Sequence, residues 1–155
     1  MTISVRHVRQ ADAESWLRMR CALWPEASEA EHRLEIERYL DGSARDPQAV
    51  LLAVERTGEP IGFAELTIRA YAESCLTNRV AYLEAWYVAP DCRRRGVAQS
   101  LVMAAEQWAI RKGCTEFASD TRYDNEIGEA AHKSCGFTEV EVIRCYKKML
   151  SRDRV

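Results

Sequence analysis

Two groups of residues in this chain have types and spacings that suit chemistry. The first is the basic turn Arg93-Arg94-Arg95-Gly96-Val97-Ala98, which leads into a stretch with apolar residues three and four apart (Leu101, Val102, Ala105, Trp108, Ala109). That spacing predicts a helix. A tight glycine-containing turn feeding a helix leaves backbone N–H groups unpaired and adds partial positive charge, so it forms a seat for an anion, best matched by a pyrophosphate. The second group is acidic. Glu84 interrupts the apolar run Val80–Ala89, where an unpaired carboxylate is costly, so it faces a wet cleft or makes a buried pair with an arginine. Asp120 ends the short strand predicted at Thr115–Ser119, on the side where open α/β sheets bind ligands; its alternative is a cap of a helix or turn.

The elements that position these groups can be read in order. Ile3–Val8 alternates as a strand, and Asp12 is placed to cap a helix carrying Trp16, Leu17, Met19, Arg20 and Leu23, which Trp24-Pro25 ends. Ser28 and Glu31 form a capping box for a second helix to about Leu40, with Leu34, Ile36 and Leu40 expected inside and Asp41-Gly42 as its close. Strands at Val50–Arg56 and Ile61–Arg69 flank a Thr-Gly-Glu-Pro turn, and the polar loop Ala70–Arg79 forms a rim. Val80–Ala89 is the central strand, stopped by Pro90-Asp91. After the helix come the strand Thr115–Ser119, the polar loop Asp120–Asn125, a helix Ile127–Cys135 closed by Gly136, and one or two final strands in Phe137–Leu150.

Composition narrows the classes. The chain has 155 residues, 47% hydrophobic and 30% charged, as expected for one domain, 1–155. Its net charge of −2 argues against binding nucleic acid by general attraction to phosphate. The six cysteines form no Cys-x-x-Cys pair and the three histidines stand far apart, which points to reduced structural thiols and no metal. No run is long enough for a membrane span and the first ten residues lack a signal-peptide core, so a cytoplasmic protein is expected.

The order strand, Arg93-x-x-Gly96-x-Ala98, long helix, and then Gly136-Phe137 about forty residues later resembles the GNAT acetyltransferases. The resemblance implies an α/β fold: a central mixed, mostly antiparallel sheet that splays at its fourth and fifth strands, flanked by about four helices. It implies acetyl-CoA as cosubstrate, with the pantetheine arm paired to the free backbone of Trp86, Tyr87 and Val88. The pyrophosphate is then expected on Arg94, Arg95, Gly96, Val97, Ala98 and Gln99. Core packing of the Trp86 and Tyr87 side chains is compatible with that role, since only their backbone is needed.

Leu23-Trp24-Pro25, Gly62-Phe63-Ala64-Glu65, Leu83-Glu84, Phe117–Thr121, Asn125, and His132 with Gly136-Phe137 narrow the resemblance to the aminoglycoside 6'-N-acetyltransferases of Gram-negative bacteria. By position it implies that Trp24, Tyr71, Glu84, Asp120 and Glu141 contact the aminoglycoside, that Asn125 touches the cofactor, and that the enzyme is a homodimer. Several carboxylates suit a polycationic substrate. Glu84 and Asp120 are expected to hold the amine, whose proton leaves through one of them or through water. His132 stands where many GNAT enzymes place a tyrosine acid, and is either the proton donor to the leaving thiolate or a satisfied helix residue; Tyr146 is a weaker candidate. A GNAT enzyme acting on a protein N-terminus, a lysine or a polyamine is the alternative, and a non-enzymatic acetyl-CoA-binding module is the other.

Overall fold

The computed structural model describes residues 2–154. Its strands are β1 Ile3–His7, β2 Ala49–Glu55, β3 Pro60–Arg69, β4 Val80–Val88 and β5 Phe117–Ser119, and its helices are α1 Ala13–Leu23, α2 Glu29–Leu40, α3 Val97–Arg111 and α4 Glu126–Ser134. The five strands lie in sequence order in one sheet. All neighbours are antiparallel except β4 and β5. This is the mixed, mostly antiparallel sheet expected, with its four helices.

Each face of the sheet has its own core. The face toward α3 collects Leu51, Ala64, Leu66, Ala81 and Leu83 against Val97, Leu101, Val102, Ala105 and Trp108. The opposite face packs Val50, Leu52, Val54, Phe63 and Ala85 against Trp16, Leu17, Met19 and Ile36 of α1 and α2. The two-residue alternation of strands and the three-to-four spacing of helices account for both. Burying each large apolar side chain contributes about 1.5–3 kcal/mol.

A β-bulge sets the geometry of β4. Glu65 pairs with Ala85 and Leu66 with Leu83, which leaves Glu84 as the extra residue. Such a bulge reverses the in-and-out phase of the strand beyond it. Tyr82 and Glu84 before the irregularity, and Ala85 and Tyr87 after it, therefore all project on the α1–α2 side, while Leu83 and Trp86 project toward α3.

Several local expectations are corrected. Asp12 does not cap α1 with its side chain; it accepts two hydrogen bonds from Arg6, at 2.7 and 3.0 Å, and one from the Arg9 N–H at 2.7 Å. The guanidinium of Arg6 outcompetes a helix N–H because a charge-assisted, two-pronged bond is stronger. The Ser28–Glu31 capping box forms as expected. Leu34 is exposed, and His32 takes the buried place beside Ile36, its Nε2 3.1 Å from the Trp24 carbonyl oxygen. Phe137–Leu150 forms no strand: residues 138–150 are exposed along their length and pair with no strand among the described residues. An alternating pattern encodes readiness to pair, and within the described residues the chain supplies no partner.

Candidate functional site

The site begins where β4 and β5 separate. Parallel pairing covers Ala81–Leu83 of β4 and ends at Leu83 with Ser119. Trp86, Tyr87 and Val88 continue to pair with Ala64, Phe63 and Gly62 of β3, so their other edge opens into the gap. Trp86 Nε1 is buried there without a hydrogen-bond partner. A buried donor left open is costly, and an amide-bearing pantetheine arm would supply an acceptor for it. The residues present fit acetyl-CoA on that ground.

At the far end of this gap, α3 starts on Gly96, whose φ of +80° is left-handed, preceded by Arg94 at φ +59°. Gly96 contributes no side-chain cap, and the first backbone bond of the helix is donated by Ser100 to the Gly96 carbonyl at 3.0 Å. The N–H groups of Val97, Ala98 and Gln99 are thereby left to an outside acceptor. The Val97 side chain is buried in the core, so only its backbone faces the seat. A Cβ on Gly96 would meet nothing within 4 Å, so the space over the turn is open. Arg93 turns away: its Nε donates to the Val88 carbonyl at 3.0 Å and ties the turn to β4.

Glu84 projects on the opposite face of β4 from the acyl gap's Trp86, at the mouth of a cavity of about 880 Å³ whose lining includes Arg20, Arg38, Glu65, Thr67 and Arg69. Its Oε1 accepts from Thr67 Oγ1 at 2.6 Å and from Arg69 Nε at 2.8 Å, and its Oε2 accepts from Arg69 Nη2 at 2.7 Å. Glu84 is paired with an arginine, but the pair is not buried: the Glu84 side chain keeps 29% and the Arg69 side chain 40% of its surface open, so the carboxylate faces a wet cleft. Burial pushes the Glu84 carboxyl up, but the bonds from Arg69 and Thr67 more than offset this and hold it below its ordinary value.

Asp120 is exposed and caps nothing; its Oδ2 accepts from Tyr82 Oη at 2.6 Å. The Arg69 guanidinium lies 3.5 Å from the centre of the Tyr82 ring. One arginine and one tyrosine thus join Glu84 to Asp120. Burial and the bond to Asp120 raise the Tyr82 phenol far above its usual range, so it stays a donor.

His132 lies between Trp86 and Phe137, with ring centres 5.2 and 5.3 Å away. Its Nδ1 is 2.6 Å from the Gly128 carbonyl and its Nε2 is 2.8 Å from Ser119 Oγ, at the point where the two strands part. Asn125 caps α4, accepting from the Gly128 N–H at 2.9 Å and donating to Thr121 Oγ1 at 3.0 Å. A Cβ at Gly128 would sit 2.6 Å from both the Asn125 amide nitrogen and Thr121 Oγ1, so the cap needs glycine there.

The outer residues are less tightly gathered. Trp24 ends α1, stacks on His32 at 6.1 Å and lies under the Arg20 guanidinium at 5.1 Å. Tyr71 is 68% exposed on the rim loop, which Glu116 fastens by accepting from the N–H groups of Leu76 and Thr77. Glu141 accepts from Ser74 Oγ of that same loop at 3.2 Å, and no hydrogen bond among the described residues links it to the Glu84–Asp120 group. Tyr146 is exposed on the C-terminal segment. Arg69, Thr67 and Tyr82 were missed in the sequence. Their signal was the alternation Glu65, Thr67, Arg69 within an otherwise apolar strand, which marks a polar strip on one face.

Among the described residues no group of three or more His, Cys, Asp or Glu side chains gathers to hold a metal, and no helix is long and apolar enough to cross a membrane. Residues 13–137 match the Acetyltransferase (GNAT) family. The chain is 53% identical to an aminoglycoside N(6')-acetyltransferase type 1 of Klebsiella aerogenes, over 94% of this chain and 96% of that one. It is 40% identical to the protein of the same name from Acinetobacter genomosp. 13, over 94% and 98%. Its fold is similar to that of AAC(6')-Iy in complex with the bisubstrate analogue CoA-S-monomethyl-acetylneamine, with a TM-score of 0.88, 34% identity, and coverage of 97% of this chain and 100% of that one.

Proposed function

The chain belongs to the acetyltransferase (GNAT) family, and from that premise we propose that it transfers the acetyl group of acetyl-CoA to the 6'-amino group of aminoglycosides by direct attack in a ternary complex. The observation that carries this reading is the identity of 53%, over nearly the whole of both chains, to an aminoglycoside N(6')-acetyltransferase. The site geometry supports it, because Glu84 lines a cavity of about 880 Å³ and is linked through Arg69 and Tyr82 to the exposed carboxylate of Asp120. A polycation is held by such a group and its reacting amine is oriented before attack.

Acetyl-CoA supplies an activated thioester. In this reading the free edge at Trp86–Val88 aligns it, the Val88 N–H polarises the carbonyl, and Arg94–Gln99 hold the pyrophosphate. Glu84 and Asp120 bind the acceptor's ammonium groups, and the reacting amine loses its proton through one of them or through water. A C–N bond forms, the C–S bond breaks, and in this reading His132 returns a proton to the leaving sulfur. Trp24, Tyr71 and Glu141 border the acceptor, and Asn125 fixes the α4 turn beside the cofactor.

The same reading takes residues 1–155 as one catalytic domain working in the cytoplasm as a homodimer and conferring aminoglycoside resistance. Support for the dimer comes from the C-terminal segment, where Val140, Val142, Ile143, Tyr146, Met149 and Leu150 are all exposed. β5 has a neighbour on one side only, so an edge remains open to such a segment.

The deciding experiment is release of free CoA with kanamycin, tobramycin, spermidine and an N-terminal peptide as acceptors, with an aminoglycoside lacking a 6'-amine as control. Turnover of the first two, and not of the control, is expected. Asp120→Asn and Glu84→Gln are each expected to lower kcat/KM for tobramycin at least about tenfold, or ~1.4 kcal/mol, with acetyl-CoA affinity unchanged. Acetylation of the peptide or the polyamine alone rejects the aminoglycoside assignment.

A further inference from the structure

The carboxylate placed to grip a cationic acceptor already holds a cation. Arg69 occupies both oxygens of Glu84, through Nε at 2.8 Å and Nη2 at 2.7 Å. Its guanidinium also covers the Tyr82 ring, whose hydroxyl holds Asp120. One resident positive charge therefore lies between the two acidic groups of the acceptor site. An incoming ammonium that merely joined them would come into contact range of a like charge, which opposes binding.

The buried arginine–carboxylate pair on this cavity, Arg20 with Glu65, is built differently. Arg20 and Glu65 are 8% and 5% exposed at their side chains, whereas Arg69 and Glu84 are 40% and 29% exposed. The Arg69–Glu84 pair is two-pronged, but its exposure lets water replace each bond that is given up, so Arg69 leaves Glu84 at lower cost than Arg20 would leave Glu65. The Arg69 guanidinium also lies against the face of the Tyr82 ring. With Arg69 turned away, Glu84 and Asp120 present two uncompensated negative charges.

Resting on the aminoglycoside reading, we propose that Arg69 is a specificity-determining residue: a built-in cation that an acceptor's ammonium displaces from Glu84. A polycation compensates for the lost pair with a second ammonium at Asp120, while an amine of single charge has only one to offer. The site thereby favours acceptors with several ammonium groups over abundant singly charged amines.

The test is calorimetric titration of wild type, Arg69→Gln and Arg69→Ala with neamine, spermidine and glucosamine, without acetyl-CoA. Circular dichroism and acetyl-CoA affinity report that the variants are folded. Both variants are expected to bind glucosamine about fivefold or more tightly than wild type, with the gain for the polycations smaller, so that the preference for polycations narrows. Arg69→Lys is expected to keep most of the wild-type preference. Unchanged or weaker binding of glucosamine and polycations by the folded variants overturns the proposal and makes Arg69 a strut for Glu84. Failure of the aminoglycoside reading looks different: wild type then neither binds nor acetylates neamine, and the exchange at Arg69 is read from spermidine against glucosamine.

Discussion

Tyr82 Oη and Asp120 Oδ2 lie 2.6 Å apart, joining the middle of β4 to the residue that follows β5. Asp120 stands on a polar loop and is otherwise exposed, so this bond sets the direction of its carboxylate. Tyr82→Phe keeps the ring, and with it the surface under Arg69, but removes the donor. The expected result is a fall in kcat/KM for tobramycin of about tenfold, ~1.4 kcal/mol, as fits one bond to a charged group. Acetyl-CoA affinity should not move; a variant with wild-type kcat/KM would show that Asp120 needs no such support.

The left-handed φ of +80° at Gly96 and the open space above it predict a selective loss on substitution. Gly96→Asp puts a side chain and a negative charge at the anion seat, in a conformation that costs an L-residue about 1 kcal/mol. Acetyl-CoA affinity measured by calorimetry should fall at least about a hundredfold, two steps of 1.4 kcal/mol, while aminoglycoside binding stays within about threefold. Equal binding of acetyl-CoA by the folded variant would place the pyrophosphate elsewhere.

His132 is constrained by both of its nitrogens. A carbonyl only accepts, so Nδ1, 2.6 Å from the Gly128 oxygen, carries a hydrogen. Nε2 faces Ser119 Oγ at 2.8 Å, and the one hydrogen of that hydroxyl is also directed to the Leu83 carbonyl at 3.2 Å, so Nε2 and the carbonyl compete for it unless Nε2 itself carries a hydrogen. If His132 protonates the leaving thiolate, the chemical step should be about 10²-fold slower in His132→Gln. Single-turnover rates are the measurement, because slow product release masks a chemical defect in kcat. A variant that keeps the wild-type rate but melts earlier assigns His132 to the packing of Trp86 against Phe137.

What the sequence revealed and what it concealed divide by range. The anion turn, the capping box at Ser28 and the period of α3 are local features, legible because the residues that make them are neighbours in the chain. Glu84 could be recognised as anomalous, but its partner Arg69 is brought to it by the β3–β4 register and a bulge that no local pattern announces. Asp12 shows the opposite error. Its local role as a cap was plausible, yet a cross-connection to Arg6 on β1 took it. The alternating C-terminal segment exposed the same limit, because periodicity says which face is apolar and not what lies against it.

The last prediction concerns stability and Glu65. It is 4% exposed, and burial raises its carboxyl to about 7, against the lowering pull of Arg20 and of the bond from Trp16 Nε1 at 3.1 Å. Burial prevails because Arg20 is shared: its Nη2 bonds Glu35 at 2.5 Å, and its Nε, 3.2 Å from Glu65, lacks the angle of a hydrogen bond. Between the ordinary value of 4.5 and about 7, the folded protein holds a proton that the unfolded chain has released. Stability then falls as pH rises through that window and levels off above it. The carboxyls of Asp12 and Glu84 are shifted downward, so the stability they contribute is lost on the acid side of their ordinary values, outside the window. Thermal melting of wild type should therefore decline from pH 5 to pH 7.5, by an amount on the order of 2 kcal/mol. Glu65→Gln retains an acceptor for Trp16 and removes the titration, so its melting temperature should change less over the same range. An equal slope in both proteins would mean that Glu65 is ionised throughout and that Arg20 offsets its burial.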